Sequence, residues 1–314
     1  MRRYILSRLL LAVPAMLGVF VVVFFVIRML PGDSAEAMLG ASATDAQIET
    51  YRAAHGLDKP APVQFWIALK NLFRGDLGDS LSHYRPVLSV VLERLPSTIE
   101  LAAYGIVLGS VFAVILGVVA ASFRGRWPDL IITAYSTFGM SLPTFYIGLW
   151  ILMVFAVKLD VIPVSASAVE GLPRWKTLFG PVLTIVVGGS LVRTTRSAIL
   201  EILEEDFIRT ARAKGVPKAL ILFRHALGNA LIPIITMVGY GLAVSFGGAI
   251  VLETVFGRSG VGKLLIDAIT VRDYPLVQGT TFVIALFMIV ANLLTDVAAG
   301  FADPRIRVAG AGEL

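Results

Sequence analysis

The residues best suited to chemistry lie in one short segment, where glycines and a lysine follow the spacing of a phosphate-binding loop. The segment reads Gly257-Arg258-Ser259-Gly260-Val261-Gly262-Lys263. Leu264 comes next, where a phosphate-binding loop needs Ser or Thr to bind Mg²⁺. Ser259 also lies in a Gly-x-Ser-Gly arrangement, but a serine nucleophile needs a base beside it and no histidine follows His225. We therefore expect neither nucleotide binding nor serine hydrolysis from this segment.

Two carboxylates inside apolar stretches are the other candidates. An ionisable side chain within a membrane span is by default a candidate for a substrate path. Glu100 follows Pro96 within one turn, where the helix dipole favours a negative charge, and Asp296 lies near the end of its stretch. Both positions favour a structural role over a substrate path. The chain has three scattered histidines and no cysteine, so no metal site or thiolate chemistry is expected.

Composition points to a membrane protein. Of 314 residues, 57% are hydrophobic and a further 29 are glycine, against a combined share of about 45–50% in soluble domains. A single soluble core does not grow in proportion to such a composition, so a cytosolic globular enzyme is excluded. The net charge of +5 is explained by the Lys and Arg that orient membrane proteins, so nucleic-acid binding is not expected.

Six apolar stretches approach the ~20 residues that a helix needs to cross a bilayer. They span residues 9–29, 97–122, 131–157, 178–192, 230–252 and 277–300. The fourth is the weakest, because Pro181, Gly188 and Gly189 interrupt it. The first exceeds the ~7–15 apolar residues of a signal peptide, so we expect an uncleaved helix. The sequence predicts an all-α polytopic membrane protein with six transmembrane helices.

The distribution of Lys and Arg predicts the orientation. These residues are roughly twice as dense in the segments on the N-terminal side of the membrane as on the other side, and cytoplasmic loops carry that excess. The short loop Phe123-Arg124-Gly125-Arg126 on that side is purely basic. We therefore expect both termini in the cytoplasm, an extracytoplasmic loop region at 30–96 and a cytoplasmic segment at 193–229.

The loop region 30–96 has the signals of a folded segment. Thr44 and Gln47 fit a capping box before a helix at 45–54, and Gly56 can end that helix in the left-handed conformation. Pro62 suits the first turn of a second helix. The region is equally well interpreted as a cap over the membrane domain and as a docking surface for an external partner.

The inner segment predicts two helices joined by a sharp corner. Leu200, Leu203, Phe207 and Ala211 would give one helix an apolar face. Gly215 can end this helix and Pro217 can start the next. A plain structural hairpin and a projection that enters a partner's groove both explain the corner.

Three classes of transport protein remain as interpretations of the sequence: a subunit driven by a separate motor, a secondary carrier and a channel. Ion-coupled carriers typically have charged residues deep in the membrane and internal repeats, and the sequence shows neither.

Two stretches carry a resemblance that separates these classes. They read Asp206-Phe207-Ile208-Arg209-Thr210-Ala211-Arg212-Ala213-Lys214-Gly215 and Arg224-His225-Ala226-Leu227-Gly228-Asn229-Ala230-Leu231-Ile232-Pro233. Together they resemble the cytoplasmic coupling motif of binding-protein-dependent ABC importers, in particular the B-type permease subunit of the dipeptide/oligopeptide/nickel family. Further short segments, each different from the others, resemble the same family along nearly the whole chain. They lie at residues 30–33, 75–78, 253–256, 272–277 and 303–307. The chain departs from the general motif at Arg209-Thr210, in place of Glu-Ala, and at Gly228, in place of proline.

The resemblance implies a type I ABC importer fold, with residues 1–314 as one permease domain of the inner membrane that performs no catalysis. It implies coupling to ATPases through Arg209, Thr210, Ala211, Arg212, Ala213, Lys214, Gly215, Val216 and Pro217. The implied partners are membrane lipid, a homologous second permease, an extracytoplasmic substrate-binding protein and two ATPase subunits that hold the ATP and Mg²⁺. Peptides are the expected substrates; glutathione, nickel chelates and opine-like solutes stay open. The alternative is a stand-alone ion-coupled secondary carrier.

The orientation can be tested by labelling, because the chain has no native cysteine. Ala41→Cys and Gly171→Cys should react with a membrane-impermeant maleimide in intact cells, and Gly215→Cys only after lysis. Labelling of the Ala41→Cys variant only after lysis would contradict the predicted orientation.

Overall fold

The computed structural model describes residues 2–29, 32, 34–40, 42–167 and 171–302. Within these ranges the regular structure is helical, apart from an isolated β-bridge between Asp79 and Pro86. In chain order the helices are α1 Arg2–Met29, α2 Ser34–Leu39, α3 Asp45–Ala54, α4 Ala61–Leu72, α5 Val87–Ser122, α6 Trp127–Ser141, α7 Thr144–Leu152 with a π-helical extension Met153–Lys158, α8 Arg174–Val187, α9 Ser190–Leu203, α10 Asp206–Ala213, α11 Lys218–Leu220 with a π-helical extension Ile221–Ala226, α12 Leu227–Val255, α13 Val261–Thr270 and α14 Tyr274–Ala302.

Three long helices and three bent pairs supply the membrane spans. Helices α1, α5 and α14 are each long and apolar enough to cross a bilayer, and each bent pair can supply one more span, up to six in all. Large apolar side chains such as those of Leu10, Val107 and Leu294 are exposed on these helices, as lipid contact requires. The prediction of an all-α polytopic fold is confirmed. Helix α5 begins at Val87, before the expected start at residue 97.

The third apolar stretch, residues 131–157, forms a bent pair of helices that together are long and apolar enough for one span. The chain bends by 102° between α6 and the helix that starts at Thr144. Leu142 has an extended backbone and precedes Pro143, which caps the next helix. A residue before proline is disfavoured in the helical region, because the proline ring collides with its backbone. The Leu142-Pro143 step therefore ends α6.

The fourth stretch breaks at its glycine pair, as its composition suggested. Helix α8 ends at Val187, and Gly189 takes a left-handed backbone (φ +65°) before α9. Pro181 lies inside α8 without ending it. A membrane helix tolerates an interior proline, usually with a kink, when neighbouring groups satisfy the backbone carbonyl that the proline leaves free.

The described chain divides into two compact units. The N-terminal unit comprises Leu9–Thr98 and Ser259–Phe287, and the central unit comprises the other described residues. The expected division into one permease domain at 1–314, with a loop region at 30–96 and a coupling segment at 193–229, stays a prediction.

In the central unit, two apolar clusters hold the helices together. Leu101, Ile151, Val182 and Phe256 belong to one cluster. The other includes Val118, Ile199 and Ala230. Each cluster joins α5 to α12, so the broken fourth span packs between longer helices.

In the N-terminal unit, aromatic side chains and helix caps organise the fold. Phe24 of α1 packs edge-on against Phe65 of α4 at 5.2 Å between ring centres. The expected capping box of Thr44 and Gln47 is present, and α3 ends at Ala54 as predicted. Gly56 is left-handed (φ +65°) and lets the next amide donate to the carbonyl of Arg52 at 2.8 Å.

A buried carboxylate ties the turn before α5 to the start of α14. Asp273 accepts hydrogen bonds from the Ser80 hydroxyl (2.6 Å), from the Ser82 amide and hydroxyl (2.9 and 2.7 Å) and from the Leu276 amide (3.1 Å). The last of these caps α14.

Removing this carboxylate should destabilise the N-terminal unit. Asp273→Ala leaves the buried Ser80 hydroxyl, the half-buried Ser82 hydroxyl and a helix amide without their acceptor, which should cost about 2–4 kcal/mol of unfolding free energy. Asp267→Ala is the matched control, because it only breaks an exposed pair with Lys263 worth under about 1 kcal/mol. Denaturant unfolding of the purified chain in detergent compares the two. Equal losses would contradict the anchoring role of Asp273.

Candidate functional site

The predicted coupling segment is built from two short helices after the broken span. Helix α9 ends at Leu203, Glu205 is extended, and α10 begins at Asp206. The expectation of one helix with a continuous apolar face through Leu203 and Phe207 is therefore wrong. Because the chain restarts at Glu205, Ile208 is the side chain that α10 buries, while Phe207 is 45% exposed.

Gly215 makes the corner that ends α10, as predicted. Its backbone is left-handed (φ +78°), its amide donates to the carbonyl of Arg212 (3.0 Å), and the Val216 amide donates to that of Ala211 (3.2 Å). This pair of bonds satisfies carbonyls that a helix end leaves free. Pro217 then caps α11. A Cβ added at Gly215 would meet no atom within 4 Å, so the backbone conformation alone requires glycine.

The corner presents an apolar and basic surface. Phe207, Leu220 and Phe223 are exposed large apolar side chains. Of the predicted coupling residues, Ala211 and Val216 are half-buried and the others are exposed: Arg209, Thr210, Arg212, Ala213, Lys214, Gly215 and Pro217. Arg209 forms an exposed ion pair with Asp206 at 3.2 Å, which leaves its aromatic neighbour Phe207 uncovered. The surface has the composition of an interface: aromatic side chains surrounded by charge.

An ion pair fixes the helix that leads into this corner. Arg196 of α9 donates to Asp129 of α6 through Nε (2.6 Å) and Nη2 (2.8 Å). Asp129 is buried and also accepts from the Gly125 amide (2.8 Å). A bidentate guanidinium–carboxylate pair sets orientation as well as distance. The basic loop 123–126, α6 and α9 are therefore held in one arrangement.

Further along α6, two hydroxyls satisfy the break between α8 and α9. The Tyr135 hydroxyl donates to the Val187 carbonyl (3.1 Å), and the Ser136 hydroxyl donates to the Gly189 carbonyl (2.9 Å). Within a bilayer no water can bond to the carbonyls that a helix break releases, so protein groups must do so. Gly139 lets the backbones approach closely: a Cβ there would lie 2.8 Å from the Val187 carbonyl oxygen.

A groove of about 450 Å³ lies beside this break in the central unit. Gly105, Gly109, Gly139, Gly188 and Gly241 contribute to its wall, with apolar and hydroxyl side chains between them, and none of the described residues that line it is charged.

The two predicted carboxylates lie elsewhere and are paired. Glu100 accepts from the buried Arg258 at 2.7 Å, and Asp296 pairs with Arg8 at 3.2 Å. Neither lines the groove. Both pairs favour a structural role, and a substrate path through Glu100 or Asp296 stays a prediction.

In the segment that suggested a phosphate-binding loop, two of the groups that would bind phosphate have partners within the protein. Helix α13 begins at Val261, and the Val261 amide donates to the Thr98 hydroxyl at 2.8 Å. Lys263 pairs with Asp267 at 3.0 Å. The first amide and the lysine that a phosphate would need are both engaged.

Comparison with known proteins decides the family. Residues 113–308 match the binding-protein-dependent transport system inner membrane component, and residues 1–102 match the N-terminal part of the membrane component of the same systems. The chain belongs to this family. It is a multi-pass inner-membrane permease subunit of an ABC importer, which agrees with the resemblance of the coupling motif.

Individual relatives extend over the whole chain. The glutathione transport system permease protein GsiC of Pectobacterium atrosepticum is 38% identical over 309 residues, covering 98% of this chain and 99% of that one. GsiC of Escherichia coli K12 is 37% identical over the same coverage. The inward-facing MetNI methionine ABC transporter has a chain with the same fold at a TM-score of 0.53, with 18% identity, covering 70% of this chain and 96% of that one.

Sequence reasoning located the corner of this permease but missed its support. Asp129 and Arg196 lie 67 residues apart, and no local pattern connects them. Tyr135 and Ser136 resemble any other polar residues of a span. The one available signal was the Gly188-Gly189 pair, because a break within a membrane requires polar partners on a neighbouring helix.

The close approach at the break can be tested with one added methyl group. Gly139→Ala should lose about 1–3 kcal/mol of unfolding free energy, because its Cβ meets a backbone carbonyl that cannot move freely. Gly109→Ala lines the same groove, but its Cβ would lie 3.7 Å from Ile185, an ordinary contact. That control should keep or gain stability, since alanine favours helix. Equal unfolding midpoints would contradict the close approach.

Proposed function

We propose that this permease is a non-catalytic translocation subunit for peptides, with glutathione as the first candidate solute. ATP binds in partner ATPases with Mg²⁺, and the motion of those subunits enters this chain through Asp206–Pro217. A homologous second permease completes the path, two ATPases occupy the cytoplasmic side, and an extracytoplasmic binding protein delivers the solute. No cofactor and no nucleic acid take part in this chain's role.

The observation that carries the proposal is the placement of the corner. Its exposed side chains Phe207, Leu220 and Phe223 offer a partner an apolar contact. Helix α9, which precedes it, is clamped to α6 by Asp129 and Arg196. A displacement of the corner is therefore passed to the break at Gly188–Gly189 beside the groove. Such a packed element with two arrangements can be biased by a ligand bound to another subunit.

The substrate class rests on the relatives and on the groove. The two relatives are named as glutathione permeases, and glutathione is a small peptide. Among the described residues, the lining of the groove has no charged side chain that would hold an inorganic ion. The same feature argues against the alternative of a stand-alone ion-coupled carrier, which needs ionisable groups along its path.

Substitutions at two neighbouring residues of α10 should distinguish a loss of ATPase binding from a loss of stability. Phe207→Ala removes an exposed side chain, so the unfolding free energy should change by less than about 0.5 kcal/mol, whereas ATPase affinity should fall about tenfold or more, as for an interface anchor. Ile208→Ala empties a fully buried position and should cost about 2–4 kcal/mol of unfolding free energy.

Both variants are measured in the same two assays. Denaturant unfolding gives the stability of the purified chain, and titration of the purified ATPases onto the solubilised permease pair gives the affinity. Wild-type ATPase affinity in the Phe207→Ala variant would place the coupling contact elsewhere on the chain.

A further inference from the structure

A second cavity, of about 470 Å³, lies wholly within the N-terminal unit, and the coupling role uses none of it. The end of α1, the helices α3 and α4, the turn at 76–79 and the start of α14 line it. Its volume falls within the roughly 300–1,000 Å³ of small-molecule sites. Unlike the groove of the central unit, it has charged and amide side chains in its wall.

The cation in this wall has only neutral partners. Arg28 in the last turn of α1 donates to the Gln64 side-chain oxygen through Nε (3.1 Å) and Nη2 (3.0 Å), and to the Phe24 carbonyl through Nη1 (3.0 Å). In the described part of the chain no carboxylate pairs with it. The guanidinium carbon lies over the Phe24 ring, 3.5 Å from its centre. Three of the five guanidinium N–H groups are engaged, which leaves two donors for a ligand.

A buried amide in the same wall also lacks a partner. Gln278 of α14 is 8% exposed and lines the cavity, and its Nε2 donates to no atom of the described structure. A buried donor without an acceptor costs about 1–3 kcal/mol, so such groups usually indicate a missing ligand or water. The side-chain amide of Gln278 and the guanidinium of Arg28 therefore both offer hydrogen-bond donors to an acceptor in this cavity.

Opposite charges in the lining narrow the ligand class. Lys59 lines the cavity together with two carboxylates, Asp76 and Asp79. Carboxylates in the wall disfavour a purely anionic ligand, whereas a zwitterion can satisfy both signs of charge. A carboxylate, with two acceptor oxygens, suits the donors of Arg28 and Gln278, and an ammonium group suits Asp76 or Asp79.

We propose that the N-terminal unit binds a zwitterionic peptide or amino acid, whose carboxylate accepts hydrogen bonds from Arg28 and Gln278. The site is separate from the groove of the central unit. On the expected orientation it faces the side from which the binding protein delivers solute. The choice of a peptide rests on the proposed function; the charge pattern of the ligand rests on the cavity alone.

Cysteine protection in the assembled membrane complex tests the site. Ala68→Cys places a thiol in the cavity wall, and Val63→Cys places an exposed one on the same helix outside it. The complex of permeases and ATPases, without binding protein, is held in phosphatidylcholine nanodiscs. Alanyl-alanine should slow maleimide labelling of the Ala68→Cys variant and leave the Val63→Cys variant unchanged. Alanyl-alanine amide, which lacks the carboxylate, should protect at least tenfold less well.

Two further variants assign the donors. Adding Arg28→Gln should raise the half-protecting concentration about tenfold to a hundredfold, and adding Gln278→Leu about tenfold. Gln278→Leu keeps a side chain of similar size and breaks no hydrogen bond of its Nε2, so the complex should assemble normally. Unchanged protection in the Gln278→Leu background would overturn the assignment of this residue.

Other outcomes would overturn the site itself. Equal protection by the dipeptide and its amide, or none by either, would remove the carboxylate site. Protection by phosphatidylethanolamine in the nanodisc, with no further effect of the dipeptide, would assign the cavity to a lipid headgroup. ATP-driven uptake of the dipeptide by the complex with its binding protein is measured in parallel. Uptake without protection would retain the proposed function and reject this cavity as a peptide site.

Discussion

The arrangement of the central unit depends on hydrogen bonds to the backbone carbonyls that a broken membrane helix leaves free. Between α8 and α9 the Gly188–Gly189 break frees backbone carbonyls that lipid cannot satisfy. Hydroxyl donors from Tyr135 and Ser136 on α6 bond to these carbonyls, and Gly139 brings the two backbones together. The carbonyls that the break frees therefore have hydrogen-bond donors within the protein.

Helices α6 and α9 also connect the break to the corner at Gly215. About two helical turns along α6 from its hydroxyl contacts, Asp129 accepts hydrogen bonds from Arg196 of α9 and from the amide of Gly125. Helix α9 then leads within a few residues to α10 and Gly215. The corner, the ion pair and the break are therefore linked by consecutive helices and contacts within the central unit. The groove, whose described lining is uncharged, lies beside the break, which suits a subunit that moves solute but takes its energy from partners.

Local rules predicted local features of this fold. The capping box at Thr44 and the left-handed glycines 56 and 215 follow from short patterns, and the structure has each of them. Pro143 was a local signal for the helix break at Leu142, but the prediction followed the long apolar run and missed it. The extended Glu205 interrupts the expected helical face, and Ile208 is the side chain that α10 buries; no local sequence signal indicated this break.

Contacts between distant segments could not be predicted from one sequence. The carboxylate of Asp273 looks like an ordinary helix cap, yet two serines nearly two hundred residues earlier bond to it. The pairing of Glu100 with Arg258 and of Asp296 with Arg8 likewise depends on tertiary structure. The resemblance to importer permeases supplied the family, and the structure supplied the supports of the coupling corner.

We expect this permease to move solute only when partner ATPases drive it. The direct measurement is uptake of labelled glutathione into proteoliposomes that contain either the complete assembly or this chain alone. With the complete assembly, uptake should require ATP and the binding protein and should continue after a protonophore collapses the proton gradient. Uptake by this chain alone, driven by a proton or sodium gradient, would contradict the account.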